Sequence, residues 1–475
     1  MKSSVKIVIL ICALVLVSMI PFLAEANYSE AVTQALGKET KVLVGKRSRD
    51  ITAEVQDGLN KGGVVKIYGG GTGFISQTLI IKNSGTHIIV EDNTILKWTH
   101  SDYAVMLRTV GGAYKWDHPM VGKNILEDIS IEGGIWDLGG SENSNSANPG
   151  FLIVDAQHVK IKGMKVLDAW KFFFGLGGLD DFEISDITMH LRNTSIAGKD
   201  GLHFAGGICN GIISNIRGNT TDDLVALNFG GDVVGDDATN YMIRMGDSYK
   251  VVVKDVYSYG AWEAIRILAD DMHKCTDITI DGIYGNVQRE HCVSISGWKY
   301  KGHNAKVGKV TISNVHVFGT NTDNPNFANW KNPLIAIGNP WNGVVRCDID
   351  SLTLRNVNVV ESEGHLQTPI RVMGDVTVNT LIVDGLTSTP DEGVDLTGYA
   401  VIDIGDTWDD AHISTVNNLI FINSYIAKHS KPFDSLVKIQ NKRSSLKKAT
   451  VSDNVLGIEL PKKTRVYTVS NNIEP

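Results

Sequence analysis

Along most of the chain, β-branched or apolar residues alternate with polar ones for five or six positions. Each run closes on Asn, Asp or Gly, usually before one more apolar residue. The phrase occupies Asp128–Gly133, His158–Gly163, Phe182–Ile187, Gly211–Ile216 and Val251–Val256. It returns at Asp277–Gly282, Val310–Val315, Leu352–Val357, Leu381–Gly385 and Asn418–Asn423. Successive side chains on a strand point to opposite faces, so this alternation predicts strands. The second apolar residues of the first eight phrases fall at 131, 161, 184, 213, 253, 280, 312 and 354. The steps between them are 30, 23, 29, 40, 27, 32 and 42 residues.

A repeat of roughly 20–50 residues marks a solenoid or a propeller. A propeller needs blades of regular length, and these steps are too uneven. They suit an all-β parallel β-helix, in which each coil supplies about three short strands and insertions lengthen some turns. The Asn, Asp and Gly that follow each run fit bends, where stacked Asn side chains can pair. One helix is predicted, over residues 51–60. Ile51, Val55 and Leu59 share a face there, and Thr52 or Asp50 is the expected N-cap. It is expected to cover the N-terminal mouth of the core, which a solenoid must protect. The Lys- and Arg-richer stretch 431–465 is expected to close the far end.

Composition adds a destination. Lys2 and Lys6 precede an apolar run from Ile7 to Leu23, and Ala24-Glu25-Ala26 follows. That is the pattern of a cleaved secretory signal, residues 1–26. An uncleaved anchor is the competing reading, and Pro21 with the small-residue site favours cleavage. Residues 27–48 are then an N-terminal extension and 49–470 the β-helix. After cleavage no segment is expected to cross a membrane. The 475-residue chain carries a formal charge of −8, which argues against a general nucleic-acid binder. Cys209, Cys275, Cys292 and Cys347 are too few for a disulfide scaffold and show no zinc spacing. Nothing implies an oligomer, so a monomer is expected.

The chemistry concentrates in Lys199-Asp200-Gly201 and Thr221-Asp222-Asp223. Asp200 precedes the Asp pair by about one coil, so the three carboxyl groups should lie on adjacent rungs. Rungs stand ~4.8 Å apart, and side-chain reach gives expected separations of roughly 5–10 Å. Inverting glycosidases hold their acid and base roughly 6.5–9.5 Å apart. Adjacent strand residues face opposite ways, so Asp222 and Asp223 can share a face only at a bend. A solvated acidic turn or a calcium site can be made from the same oxygens.

These residues resemble the polygalacturonase group, glycoside hydrolase family 28, within the pectin-lyase-like right-handed parallel β-helix superfamily. The family carries N-T-D-G, then G-D-D, then G-H-G, then R-I-K. Lys199-Asp200-Gly201 is similar to the first motif, Thr221-Asp222-Asp223 to the second and Arg266-Ile267-Leu268 to the last. The resemblance implies a secreted hydrolase with no cofactor, acting on a polysaccharide by inversion. It makes Asp222 the general acid and gives Asp200 and Asp223 the attacking water. No G-H-G lies between Asp223 and Arg266, so its histidine is absent or is replaced by His203 or His291. Leu268 stands where the family has the lysine that helps hold a galacturonate carboxylate. A neutral sugar is therefore as open as a uronate.

His203, Arg266, Trp262 and Trp298 are the candidate substrate-binding residues. A strand Arg near the core needs an anionic partner, and tryptophan faces stack on sugar rings. Trp330 and Trp341 lie in inter-strand segments of the same kind. Two other functions fit the same residues. A polysaccharide lyase would use Arg266 as base and the Asp cluster for calcium. A non-catalytic adhesive protein would only bind glycan.

Overall fold

The computed structural model describes residues 39–99, 105–111, 125–140, 149–194, 197–229, 233–234, 241–242, 246–288, 291–298, 304–319, 333–339, 346–360, 368–406, 412–458, 460 and 467–473. The signal segment, Trp330 and Trp341 lie outside them. The described chain is a right-handed parallel β-helix, with one ladder of parallel strands from Glu39 to Ser470. Right-handed crossover is the rule for parallel strands.

The eight repeat positions form one column. Ile131 pairs in register with Ile161, Ile161 with Ile184, Ile184 with Ile213 and Ile213 with Val253. Val253 pairs with Ile280, Ile280 with Ile312 and Ile312 with Leu354. All eight are fully buried, and each contributes about 1.5–3 kcal/mol of apolar burial. The uneven steps thus leave the core register intact. One continuous apolar core runs from Val42 to Ile458.

The Asn and Asp residues that close each run are the corners. Asp186, Asn215, Asp255, Asn314, Asn356 and Asn423 all have φ between 51° and 56°. This left-handed conformation suits Asn and Asp among residues with a side chain. Their side chains pair along the axis: Asn314 Nδ2 donates to Asp281 Oδ1 at 2.6 Å and Asn356 Nδ2 to Asn314 Oδ1 at 2.6 Å. The strand Leu202–Gly218 turns at two such residues, Asn210 and Asn215, and so serves three faces of its coil.

The helix spans Thr52–Lys61 and buries Val55 and Leu59 against the first rungs. Ile51, rather than Asp50 or Thr52, occupies the N-cap position. Asp50 Oδ1 still accepts the Thr52 N–H at 2.8 Å. The ladder begins earlier than residue 49: Glu39–Leu43, in the stretch expected as an extension, pairs with Gly63–Tyr68. At the other end, Ser435–Ile439 and Ala449–Ser452 continue the coils rather than closing them. Leu436, Ala449 and Val451 are fully buried there, so inward apolar positions outweigh the surrounding Lys and Arg.

Candidate active site

Two adjacent rungs bring the predicted carboxylates together. Asp200 stands just before the strand Leu202–Gly218, and Asp223 opens the strand Asp223–Asn228. The Gly201 N–H donates to the Asp223 carbonyl at 2.8 Å. Gly201 permits this approach, since a Cβ there would stand 2.3 Å from the Leu224 oxygen. One oxygen from each of Asp200, Asp222 and Asp223 lies within 4.8 Å of the others. This is tighter than the sequence spacing implied.

The three differ sharply in exposure. Asp222 occupies a bend, where its carbonyl accepts from Thr220 Oγ1 at 2.8 Å, and its side chain is 27% exposed. Asp223 shares the inward parity of Val225 and Leu227 and has no solvent exposure. The bend therefore separates the pair instead of turning both outward. Asp200 is 4% exposed. Its Oδ1 accepts the Asp223 N–H at 3.2 Å, and its Oδ2 lies 2.5 Å from His203 Nδ1. Burial pushes the Asp223 carboxyl well above the ordinary aspartate range. Arg266 opposes that rise, and the charges of Asp222, Asp200 and Glu263 add to it.

Arg266 sits on the next rung, with its backbone in register with Ala226. Its Nε is 3.1 Å from Glu263 Oε2 and 3.2 Å from Asp223 Oδ2, and its Nη2 is 3.7 Å from Asp222 Oδ1. The Asp223 approach is an ion-pair distance without hydrogen-bond alignment. Glu263 is the site residue that sequence reasoning missed. It is 1% exposed and pairs in register with Asp223. The step from 223 to 263 equals the step from 213 to 253, so the coil length carried the signal.

His203 stacks on Phe172, with ring centroids 3.9 Å apart and planes 4° from parallel. It is held between that ring and Asp200. His291 is buried, with Nδ1 3.0 Å from the Pro333 carbonyl. Trp262 is the residue beside Asp222 on the next rung, and its backbone N–H donates to the Asp222 carbonyl at 3.2 Å. Trp298 is 42% exposed and follows the strand Val293–Gly297. Lys199 is 1% exposed, and burial lowers its pKa against the attraction of Asp168.

The three Asp oxygens could gather a divalent cation by distance alone. Arg266 already supplies positive charge to Asp222 and Asp223, which disfavours a second cation there. Among the described residues, Cys209, Cys275, Cys292 and Cys347 are free, and the last three are buried. Burial pushes the Cys347 thiol up to about 12, so it is inert at neutral pH.

The architecture is that of a right-handed parallel β-helix, with a compact carboxylate cluster on two adjoining rungs. No family model and no curated protein matches the sequence. Among solved structures, the tailspike protein of E. coli bacteriophage HK620 is similar at a TM-score of 0.52. Its identity is 13%, over 93% of this chain and 79% of that one. The endo-xylogalacturonan hydrolase from Aspergillus tubingensis reaches 0.39, at 12% identity, over 92% of this chain and all of that one. PfbA, a surface adhesin of Streptococcus pneumoniae, reaches 0.43, at 14% identity, over 91% of this chain and all of that one. The tailspike likeness supports the fold alone. A fold does not fix a function, so function must be argued from the site. Among the described residues, no helix is long and apolar enough to cross a membrane.

Proposed function

We propose that the chain is a secreted glycoside hydrolase, of the polygalacturonase-like family 28 kind, that cleaves a polysaccharide by single displacement with inversion. One observation carries this reading: of three carboxyl groups gathered within 4.8 Å, nearer than the roughly 6.5–9.5 Å usual for an inverting pair, only Asp222 is appreciably exposed, so single displacement is argued from exposure and not from spacing. A covalent route needs a second carboxylate in contact with the anomeric carbon. Asp200 and Asp223 are too buried for that contact, so Asp200 acts through water.

In the proposed reaction Asp222 gives its proton to the glycosidic oxygen as that bond breaks. A water beside Asp200 attacks the anomeric carbon and loses its proton to the Asp200 carboxylate. His203 Nδ1 and the Asp223 N–H orient Asp200 at its two oxygens. Asp223 does not touch substrate. Its carboxyl, held neutral more readily by burial, limits the charge packed beside the base. Trp262 and Trp298 offer ring surface to the sugars on either side.

Arg266 is a poor candidate for the base of a lyase, because its guanidinium faces three carboxylates. The deciding experiment is proton NMR of the first-formed product, from a panel of plant, algal and bacterial polysaccharides. The expected result is a saturated reducing end with inverted configuration. A retained anomer would reject single displacement, and an unsaturated product would favour elimination.

A further inference from the structure

We infer that Glu263 commits Arg266 to the protein and sets the cleft floor against anionic sugars, so that the residue cleaved is uncharged. The inference rests on the hydrolase reading and names its substrate class. A uronate-binding site needs a cation free to meet a carboxylate, commonly a bidentate Arg. Here the guanidinium is already shared among Glu263, Asp223 and Asp222, at 3.1, 3.2 and 3.7 Å. Glu263 is 1% exposed and its Oε1 has no hydrogen-bond partner. Its charge is therefore little screened by water.

Among the described residues, the floor positions in register with Arg266 and Leu268 supply no replacement. On these rungs the outward positions in register with Arg266 are Ala226 and Ser294. Those in register with Leu268 are Asn228 and Ser296. Lys171 stands at the rim: a Cβ on Gly198 would lie 3.6 Å from its Nζ and 3.9 Å from Asp222 Oδ2. Among the described residues, Arg266 and Lys171 balance Asp200 and Glu263 once Asp222 carries the proton it donates and Asp223 is neutral. No net positive charge is then left to receive a further carboxylate. A uronate brought to the reacting sugar is partly desolvated without such a partner, a discrimination of roughly ten- to a hundredfold.

The test pairs each uronate polymer with its carboxyl-reduced form, beside natural neutral glycans, and compares kcat/KM for wild type and Glu263→Gln. Wild type is expected to favour the neutral partner roughly ten- to a hundredfold. Glu263→Gln, which frees one Arg266 contact and removes one charge, should shrink that ratio at least tenfold. Binding of the same polymers to Asp222→Asn, by affinity electrophoresis, reads the preference without turnover. Faster cleavage of a uronate polymer by wild type, or an unchanged ratio in a folded Glu263→Gln, overturns the inference and leaves the hydrolase reading standing. Absence of hydrolysis and binding with every glycan overturns both.

Discussion

Replacing Arg266 by Met keeps the unbranched stem and removes the one guanidinium that faces Asp222, Asp223 and Glu263. At the 3.2 Å separation from Asp223, an effective dielectric of ~20 gives about 5 kcal/mol of attraction before desolvation. Stripping the partner from a buried ion costs about 3–5 kcal/mol. Arg266 is 27% exposed, so water already screens part of that attraction. A loss of about 2–4 kcal/mol at neutral pH follows. The loss should depend on pH with a definite sign. Without Arg266 the Asp223 carboxyl, already raised by burial, rises further. A carboxyl raised in the folded state costs stability as pH climbs through its folded pKa. The penalty should therefore be largest at neutral and alkaline pH and should shrink toward acid. Urea unfolding of both proteins at about pH 7.5 and about pH 4.5 reads this directly. Adding Glu263→Gln should recover part of the loss. A deficit under about 1 kcal/mol at neutral pH, or an equal deficit at both values, would refute the reasoning.

Asp223→Asn should unfold at higher temperature than wild type above the raised pKa and lose that advantage in acid, because burial penalises only the ionised form. Thermal scans across pH check it. Asn314→Ala should cost about 1–2 kcal/mol, because Ala resists the left-handed region and drops the side-chain bonds to Asp281 and Asn356. Asn314→Gly should lose only the bonds, and denaturant midpoints separate the two. Trp298→Ala should raise KM about three- to tenfold with little change in stability, since the residue is 42% exposed. Steady-state kinetics on a cleaved glycan measures it.

The fold was legible because a solenoid repeats its instructions. Eight alternating phrases named eight core positions, and all eight fall in one in-register column. The closing Asn and Asp residues named the left-handed corners. The chain ends were harder, because exposed lysines around residue 440 masked the inward column of Leu436, Ala449 and Val451.

The site was legible where one coil step connects residues, as from Asp200 to Asp223. Glu263 was not recognised because acidic residues are frequent and its link to Asp223 crosses a 40-residue coil. The burial of Asp223 follows from strand parity, which can be read only once the bend at Asp222 is placed. The Phe172 ring over His203 pairs residues from neighbouring coils with no shared motif. Side-chain contacts of that kind leave no periodic trace.

The account's central claim is that the exposed Asp222 and the buried Asp200 form a hydrolytic pair. Its most direct test is reducing-end release by wild type, Asp222→Asn and Asp200→Asn, each with its fold verified by circular dichroism. The account predicts release by wild type and a loss of at least about a thousandfold in either variant, as expected for removal of an acid or base. Undiminished release by a folded Asp222→Asn or Asp200→Asn would contradict it.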